Sequence, residues 1–242
     1  MVRIRRAPAK EAPPLFLLPE PTPEGVVAIG GRPDAETLLS AYAQGIFPWP
    51  QRGAPLCWFC PDPRFVLVPK EISISRSLAK TLRRGRFGVR ADTAFAEVMA
   101  RCAAAKRRGQ RGTWITRAMI AGFSELHARG LAHSIEAWRD GQLVGGLYGL
   151  ALGGVFFGES MFAEEPDASK VCLATLAANL AHWDFPLLDC QQPTEHLASF
   201  GAFEMPRSEF LATLEPLLAR PDRLGPWQLD IGPLAVVSRL GG

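Results

Sequence analysis

The chain has 242 residues, 48% hydrophobic and 21% charged, with a formal net charge of +3. This is ordinary globular composition, long enough for one large domain or for a small domain joined to a larger one. No apolar run approaches the about 20 residues of a membrane span, and the basic N-terminus is not followed by the apolar stretch of a secretory signal.

Residues 1–23 are rich in proline, alanine and charge, which predicts a loose arm. Asp34 is placed to cap a helix running through Gln44, with Leu38, Leu39 and Tyr42 inward and Gly45 closing it. Two stretches dense in proline and aromatics follow, Gly45-Ile46-Phe47-Pro48-Trp49-Pro50 and Cys57-Trp58-Phe59-Cys60-Pro61-Asp62-Pro63-Arg64. They predict a fixed, non-regular loop with Trp58 and Phe59 in a small aromatic core. Trp49 could instead offer its ring as a stacking platform for a base. Cys57 and Cys60 have Cys-x-x-Cys spacing, but no second pair completes a zinc site and prolines follow where a redox motif starts a helix. They read as structural, with no metal. The odd count of five cysteines implies a reduced, cytoplasmic compartment.

Charge is unevenly spread. Residues 64–117 hold 14 Lys and Arg against 3 acids, a local balance of +11 that leaves −8 for the remainder. Such asymmetry points to a polyanion partner. Within this region residues 65–68 read as a strand, and Ser75 caps a short helix. Arg76, Lys80, Arg83 and Arg84 share one face of that helix, with Leu78 and Leu82 opposite. No acid on the helix balances them, and Arg86, Arg90, Lys106, Arg107, Arg108 and Arg111 add to the excess, so phosphate contact is preferred over a merely solvated face.

Residues 95–105 are helical by pattern. Thr116 caps a helix with Met119, Ile120, Phe123 and Leu126 inward, on which His127 reads as a packed or hydrogen-bonded histidine. Strands follow at 132–138, 143–150 and 155–162, joined by Asp140-Gly141 and Gly153-Gly154 turns. Gly145, Gly146 and Gly149 in the middle strand mark a bulge, a ligand or tight helix packing. Asp167 caps a helix to about Trp183; residues 187–191 form the next strand; Thr194 caps a turn of helix ending near Gly201; and Ser208-Glu209-Phe210 opens another helix to about Leu218. An antiparallel meander, then a helix, then a strand is the order of GNAT-type acyltransferases, which fixes no function by itself.

Two apolar runs end in acids: Val155-Phe156-Phe157 leads to Glu159, and Phe185-Pro186-Leu187-Leu188 leads to Asp189. An acid at the end of a buried strand is costly unless paired or used. If the two strands lie side by side, the acids make one polar site and a negative pocket for a cationic ligand.

The motifs Tyr42-Ala43-Gln44-Gly45-Ile46-Phe47-Pro48-Trp49, Pro61-Asp62-Pro63-Arg64, Gly112-Thr113-Trp114-Ile115-Thr116, Gly158-Glu159-Ser160-Met161-Phe162, Ala168-Ser169-Lys170 and Asp189-Cys190-Gln191 occur in this order. Together they resemble the leucyl/phenylalanyl-tRNA–protein transferase family, the bacterial N-end-rule aminoacyltransferases, from about residue 25 to 210. The resemblance implies an α/β (α+β) protein, with a small N-terminal domain at 1–66 and a GNAT-like catalytic domain with a mixed sheet at 67–242. It implies transfer of Leu or Phe, and less often Met, from aminoacyl-tRNA to the α-amine of proteins beginning with Arg or Lys, marking them for degradation. It implies a cytoplasmic monomer that needs no cofactor and no membrane.

By that similarity Asp189 and Gln191 orient and activate the acceptor amine, with Glu159 in the same network. Trp49 and Trp114 hold the terminal adenosine, Ser160 joins the substrate site, Met161 and Leu176 shape the side-chain pocket, and Arg76, Lys80, Arg83 and Arg84 hold the acceptor stem. The chain departs from the family pattern at Phe59, Cys60, Ala163 and Asp167, and at Leu176, where a large aromatic is common. An aminoacyl ester is already activated, so positioning, proton removal and oxyanion stabilisation suffice. An acyl-enzyme through Cys190 is disfavoured, because strand alternation sets Cys190 opposite Asp189 and Gln191. Two competing readings are an acetyl-CoA transferase, for which Gln142-Leu143-Val144-Gly145-Gly146-Leu147 is a poor pyrophosphate loop, and a non-catalytic RNA-binding module, which leaves the buried acids unexplained.

Overall fold

The computed structural model describes residues 15–18, 20–51, 53–105 and 113–240. Residues 1–14 of the expected arm, and the basic residues Lys106, Arg107, Arg108 and Arg111, lie outside the described residues.

A four-stranded sheet forms first. Its strands are β1 (Leu15–Leu17), β2 (Val26–Gly30), β3 (Phe47–Pro48) and β4 (Cys57–Phe59), in the order β1-β2-β4-β3. Two expectations are corrected here. Residues 15–17 of the expected loose arm form a strand, because β1 pairs antiparallel with β2. The aromatic loop is regular at both ends, because Phe47 and Pro48 pair with Phe59 and Trp58. Trp58 and Phe59 are buried, as expected, and the Trp58 indole donates to Gly30 O at 2.9 Å. Against this sheet lies α1 (Ala35–Tyr42), whose first turn is capped by Asp34 accepting from Thr37 N.

The larger sheet has seven strands. In chain order they are β5 (Arg64–Leu67), β6 (Gly88–Ala91), β7 (Ala132–Arg139), β8 (Gln142–Leu152), β9 (Val155–Ala163), β10 (Leu187–Gln191) and β11 (Phe203–Met205). Their spatial order is β11-β5-β10-β9-β8-β7-β6. The three-stranded meander is present as read, and β10 adds parallel to β9, which makes the sheet mixed. The glycines of β8 answer to packing. A Cβ on Gly145 would lie 2.5 Å from Ala168 Cβ, and one on Gly149 would lie 2.3 Å from Phe157 O at a shift in strand register.

Helices cover both faces. They are α2 (Arg76–Arg83), α3 (Phe95–Ala104), α4 (Arg117–Ala128), α5 (Ala168–His182), α6 (Glu195–Ala198), α7 (Arg207–Leu218) and α8 (Pro233–Leu240). Ser75, Thr116 and Thr194 cap α2, α4 and α6 as expected. Asp167 does not cap α5. It stands at the N-cap in the left-handed region (φ 68°), and its carboxylate accepts instead from Thr81 Oγ1 at 3.0 Å and Lys170 Nζ at 3.1 Å. His127 is packed rather than exposed to a site, stacked on Phe95 at 4.1 Å and bonded to Ala132 O. Burying α5 from Val171 to Leu180 against the sheet supplies much of one apolar layer, and α3, α4 and the α1 face supply the other.

Candidate active site

β9 and β10 pair only at Val155, Phe156 and Phe157 against Leu187, Leu188 and Asp189. Beyond that point a cavity of about 420 Å³ opens between them. It is lined by Glu159, Ser160 and Met161 of β9, by Cys190 and Gln191 of β10 and by Leu176 of α5, with Trp49 and Trp114 also in its wall. All five residues expected to bind substrate and two of the three expected to be catalytic therefore meet in one cavity. Trp49 is held by its backbone N–H donating to Cys57 O at 2.9 Å and by an edge contact of its ring with Phe59 at 5.6 Å.

Asp189 does not line the cavity. Its side chain is fully buried, and Arg64 takes both its oxygens: Nε donates to Oδ1 at 2.8 Å and Nη2 to Oδ2 at 2.6 Å. The guanidinium lies 4.8 Å from the ring centre of Phe47 and 4.6 Å from that of Phe210, and its Nη1 donates to Gly45 O. Burial alone would weaken the charge on Arg64, but Asp189 holds its pKa above the ordinary guanidinium value. Asp189 Oδ1 also accepts from the backbone N–H of Gln191 at 2.9 Å. The acid therefore reaches the cavity only by fixing Gln191.

Gln191 stands at a register shift, with φ 64°. This bulge breaks the alternation expected along β10. Cys190 faces the cavity after all, so its place on the strand does not exclude it as a nucleophile. Its chemistry does argue against it. Burial first, and then Asp189, push the thiol well above its ordinary pKa, which leaves little thiolate to attack an ester.

Glu159 is the acid that the cavity exposes. Tyr42 Oη donates to its Oε1, and Gln191 Nε2 donates to the same oxygen at 2.7 Å. Burial drives its pKa up to about 8 and outweighs the hydrogen bonds from Tyr42 and Gln191 that favour the carboxylate. The expected negative pocket is corrected accordingly. Asp189 is neutralised by Arg64, and Glu159 carries a proton below about pH 8.

Local pattern misses two polar residues of the site. It gives Tyr42 only a core role; Tyr42 is buried in the core, and its hydroxyl also reaches Glu159. His196 lines the cavity from α6, and its buried Nε2 has no hydrogen-bond partner among the described residues. Burial, and then Lys170, keep that imidazole below its ordinary pKa. Neither is foreseeable from the sequence, because one depends on a partner 117 residues away and the other on a four-residue helix.

The basic helix lies outside the cavity. Arg76, Lys80, Arg83 and Arg84 are exposed on or just after α2, whose Leu78, Ala79 and Leu82 are buried. None of the four is in an ion pair among the described residues, whereas Arg86 pairs with Glu165 at 3.0 Å.

Comparison with known proteins gives consistent results. The model of the family described as leucyl/phenylalanyl-tRNA protein transferase matches residues 66–215, and that of its N-terminal domain matches residues 31–62. A leucyl/phenylalanyl-tRNA–protein transferase of Anaeromyxobacter sp. (strain Fw109-5) is 55% identical over 210 residues, 87% of this chain and 89% of its own. Proteins of the same name from Myxococcus xanthus and Thiobacillus denitrificans are 53% identical, over 90% of this chain and 93% of theirs, and 55% identical, over 86% and 91%. Among solved structures, a GCN5-related N-acetyltransferase-like protein from Streptococcus suis aligns with TM-score 0.31 and 14% identity, over 92% of this chain and 86% of its own. That likeness is too slight to build on.

Proposed function

The chain belongs to the leucyl/phenylalanyl-tRNA–protein transferase family, and from that premise we propose how its residues divide the work. It is an aminoacyltransferase that moves leucine or phenylalanine from aminoacyl-tRNA to proteins with N-terminal Arg or Lys. The observation that carries the assignment of roles is the meeting of Trp49, Trp114, Ser160, Met161, Leu176, Glu159 and Gln191 around one cavity.

In this reading Trp49 and Trp114 stack on the terminal adenosine, since aromatic faces accept any base and leave identity to the attached amino acid. Met161 and Leu176 take the transferred side chain. Met161 is unbranched and adaptable, which suits a pocket that admits both a branched aliphatic and an aromatic group. Ser160 sits beside them, within reach of the ester. Gln191 and Glu159 hold the acceptor amine, and Asp189 keeps Gln191 in place. Arg76, Lys80, Arg83 and Arg84 contact the acceptor stem, and their freedom from ion pairs among the described residues supports this.

The same reading divides the chain near residue 66, into a small N-terminal domain and a larger catalytic one. The smaller sheet is built from residues 15–59, and the larger begins at Arg64. In the same reading the enzyme acts as a monomer, with the cavity residues it needs on its own sheet and helices. The same reading places the enzyme in the cytoplasm, where aminoacyl-tRNA is made and used; no helix among the described residues is long and apolar enough to cross a membrane. Acetyl-CoA chemistry finds little support, because residues 142–147 lie in β8 rather than in a loop entering a helix.

The test is direct. Labelled Leu-tRNA is incubated with Arg- and Lys-starting peptides, with acetyl-CoA present as a competing donor. Label should enter both peptides without acetylation. Acetyl transfer in place of leucine transfer would overturn the reading.

A further inference from the structure

Two hydrogen bonds end on one oxygen of Glu159. Tyr42 Oη comes from α1, Gln191 Nε2 comes from β10, and both donate to Oε1. Glu159 lines the cavity, and its other oxygen, Oε2, has no hydrogen bond to a described residue. Asp189 is differently placed: its two oxygens accept from Arg64, and Oδ1 accepts from Gln191 N as well. With three hydrogen bonds from Arg64 and Gln191 and no place in the cavity lining, Asp189 does not meet a proton from substrate.

We propose that Glu159, through Oε2, is the catalytic residue that takes the proton from the incoming α-ammonium, and that Tyr42 is the positioning residue that aims it. The inference rests on the transferase reading above and assigns the proton acceptor within it. Gln191 fixes the same carboxyl from the opposite side. Its Nε2 is engaged by Glu159, which leaves its carbonyl oxygen to accept from the amine while the proton moves.

The Glu159 carboxylate takes one proton from the ammonium and becomes a carboxylic acid. The freed amine attacks the ester carbonyl, forming the C–N bond. The bond from that carbon to the ribose oxygen then breaks. The second proton, carried by the attacking nitrogen, passes to the departing ribose oxygen. Glu159 returns to the carboxylate by releasing its proton to solvent, so one proton is released per peptide bond formed.

The environment suits that exchange. A protein α-amine has a pKa near ~8, and burial sets Glu159 at about 8, so the proton moves between groups of matched affinity. The groups facing Glu159 are Tyr42 from α1, Asp189 and Gln191 from β10 and Arg64 from β5. Asp189 pushes its pKa up, while Arg64 and the hydrogen bonds from Tyr42 and Gln191 pull it down. Tyr42 stays protonated and a donor throughout, because its own pKa is raised well above the ordinary value by burial and then by Glu159 and, more weakly, Tyr148 and Asp189.

The experiment measures initial rates of leucine transfer from Leu-tRNA to an Arg-starting peptide between pH 6 and 9, with Leu-tRNA binding measured alongside. Wild type should rise with pH and level off above about 8. Glu159→Gln keeps the shape and an acceptor for Tyr42; it should lose about 100-fold or more in rate with tRNA binding retained. Tyr42→Phe removes only a donor that favours the carboxylate. Its rate midpoint should therefore move to higher pH and its deficit should shrink at the alkaline end. The acceptor amine is the same in every assay, so that displacement reports on the protein. Wild-type rates in Glu159→Gln, or a uniform deficit at every pH in Tyr42→Phe, would overturn the proposal. Failure of the wild-type protein to transfer leucine at all would instead remove the functional reading beneath it.

Discussion

Arg64 and Asp189 stand 125 residues apart in sequence, yet they form a two-pronged ion pair with no exposure of either side chain. Removing one partner leaves the other charged and buried, which typically costs about 3–5 kcal/mol. Arg64→Met and Asp189→Leu alone should each lower the denaturation midpoint strongly. Together they should recover much of that stability, because neither charge is stranded. Leucine transfer should stay abolished in the double variant, because the hydrogen bond that fixes Gln191 is gone. Denaturation curves and transfer assays on the same three proteins check this, and an additive drop in stability would contradict it.

Glu159 gives a prediction that needs no substrate. Its carboxyl loses a proton at about 8 in the fold, against an ordinary 4.5 when unfolded. Between those values the unfolded chain binds fewer protons than the folded one, so stability falls as pH rises from about 4.5 and levels off above about 8. Glu159→Gln removes this dependence. The variant should be more stable than wild type at about pH 8, by up to about a few kcal/mol, with the advantage fading toward about pH 5. Urea midpoints across that range measure it.

The meander, the helix after it and the strand carrying Asp189 are all legible in the sequence, because each is a long run with one clear period and marked turns. So are Trp49, Trp114, Glu159, Ser160, Met161 and Gln191, through motifs that keep their spacing, whereas His196 is not. The smaller sheet is not. Its strands run two to five residues and include Pro48, which reads as loop. Simple alternation does not foresee that Cys190 and Gln191 share the cavity, because Gln191 adopts positive φ at a shift in register. Arg64 is visible as the end of a motif but not as the partner of Asp189. No local pattern encodes a pairing over such a distance.

Reversing both Arg83→Glu and Arg84→Glu should weaken tRNA binding. The slope of log affinity against log salt should fall by about 1 for each phosphate no longer neutralised. Filter binding at several salt concentrations reads it directly. An unchanged slope would return α2 to the role of a solvated face.

Trp49→Ala and Trp114→Ala should each weaken aminoacyl-tRNA binding by about 1–3 kcal/mol, the range for one stacked base. Neither should change the salt slope, which separates them from the arginines. Binding titrations with Leu-tRNA across a salt series check both statements, and a Trp variant with a lowered slope would contradict the stacking role.

The guanidinium of Arg64 touches Gly45 and Phe47 on one side, Asp189 beneath and Phe210 on the other. It acts as a rivet through three separate stretches of chain, and the Tyr42 hydroxyl is a second fastening between the first of them and Glu159. The early residues are thus part of the frame that sets the reacting groups. A protein trimmed to begin after residue 66 would lose both fastenings, and with them the hydrogen bond from Tyr42 to Glu159 and the partner that holds Asp189 against Gln191.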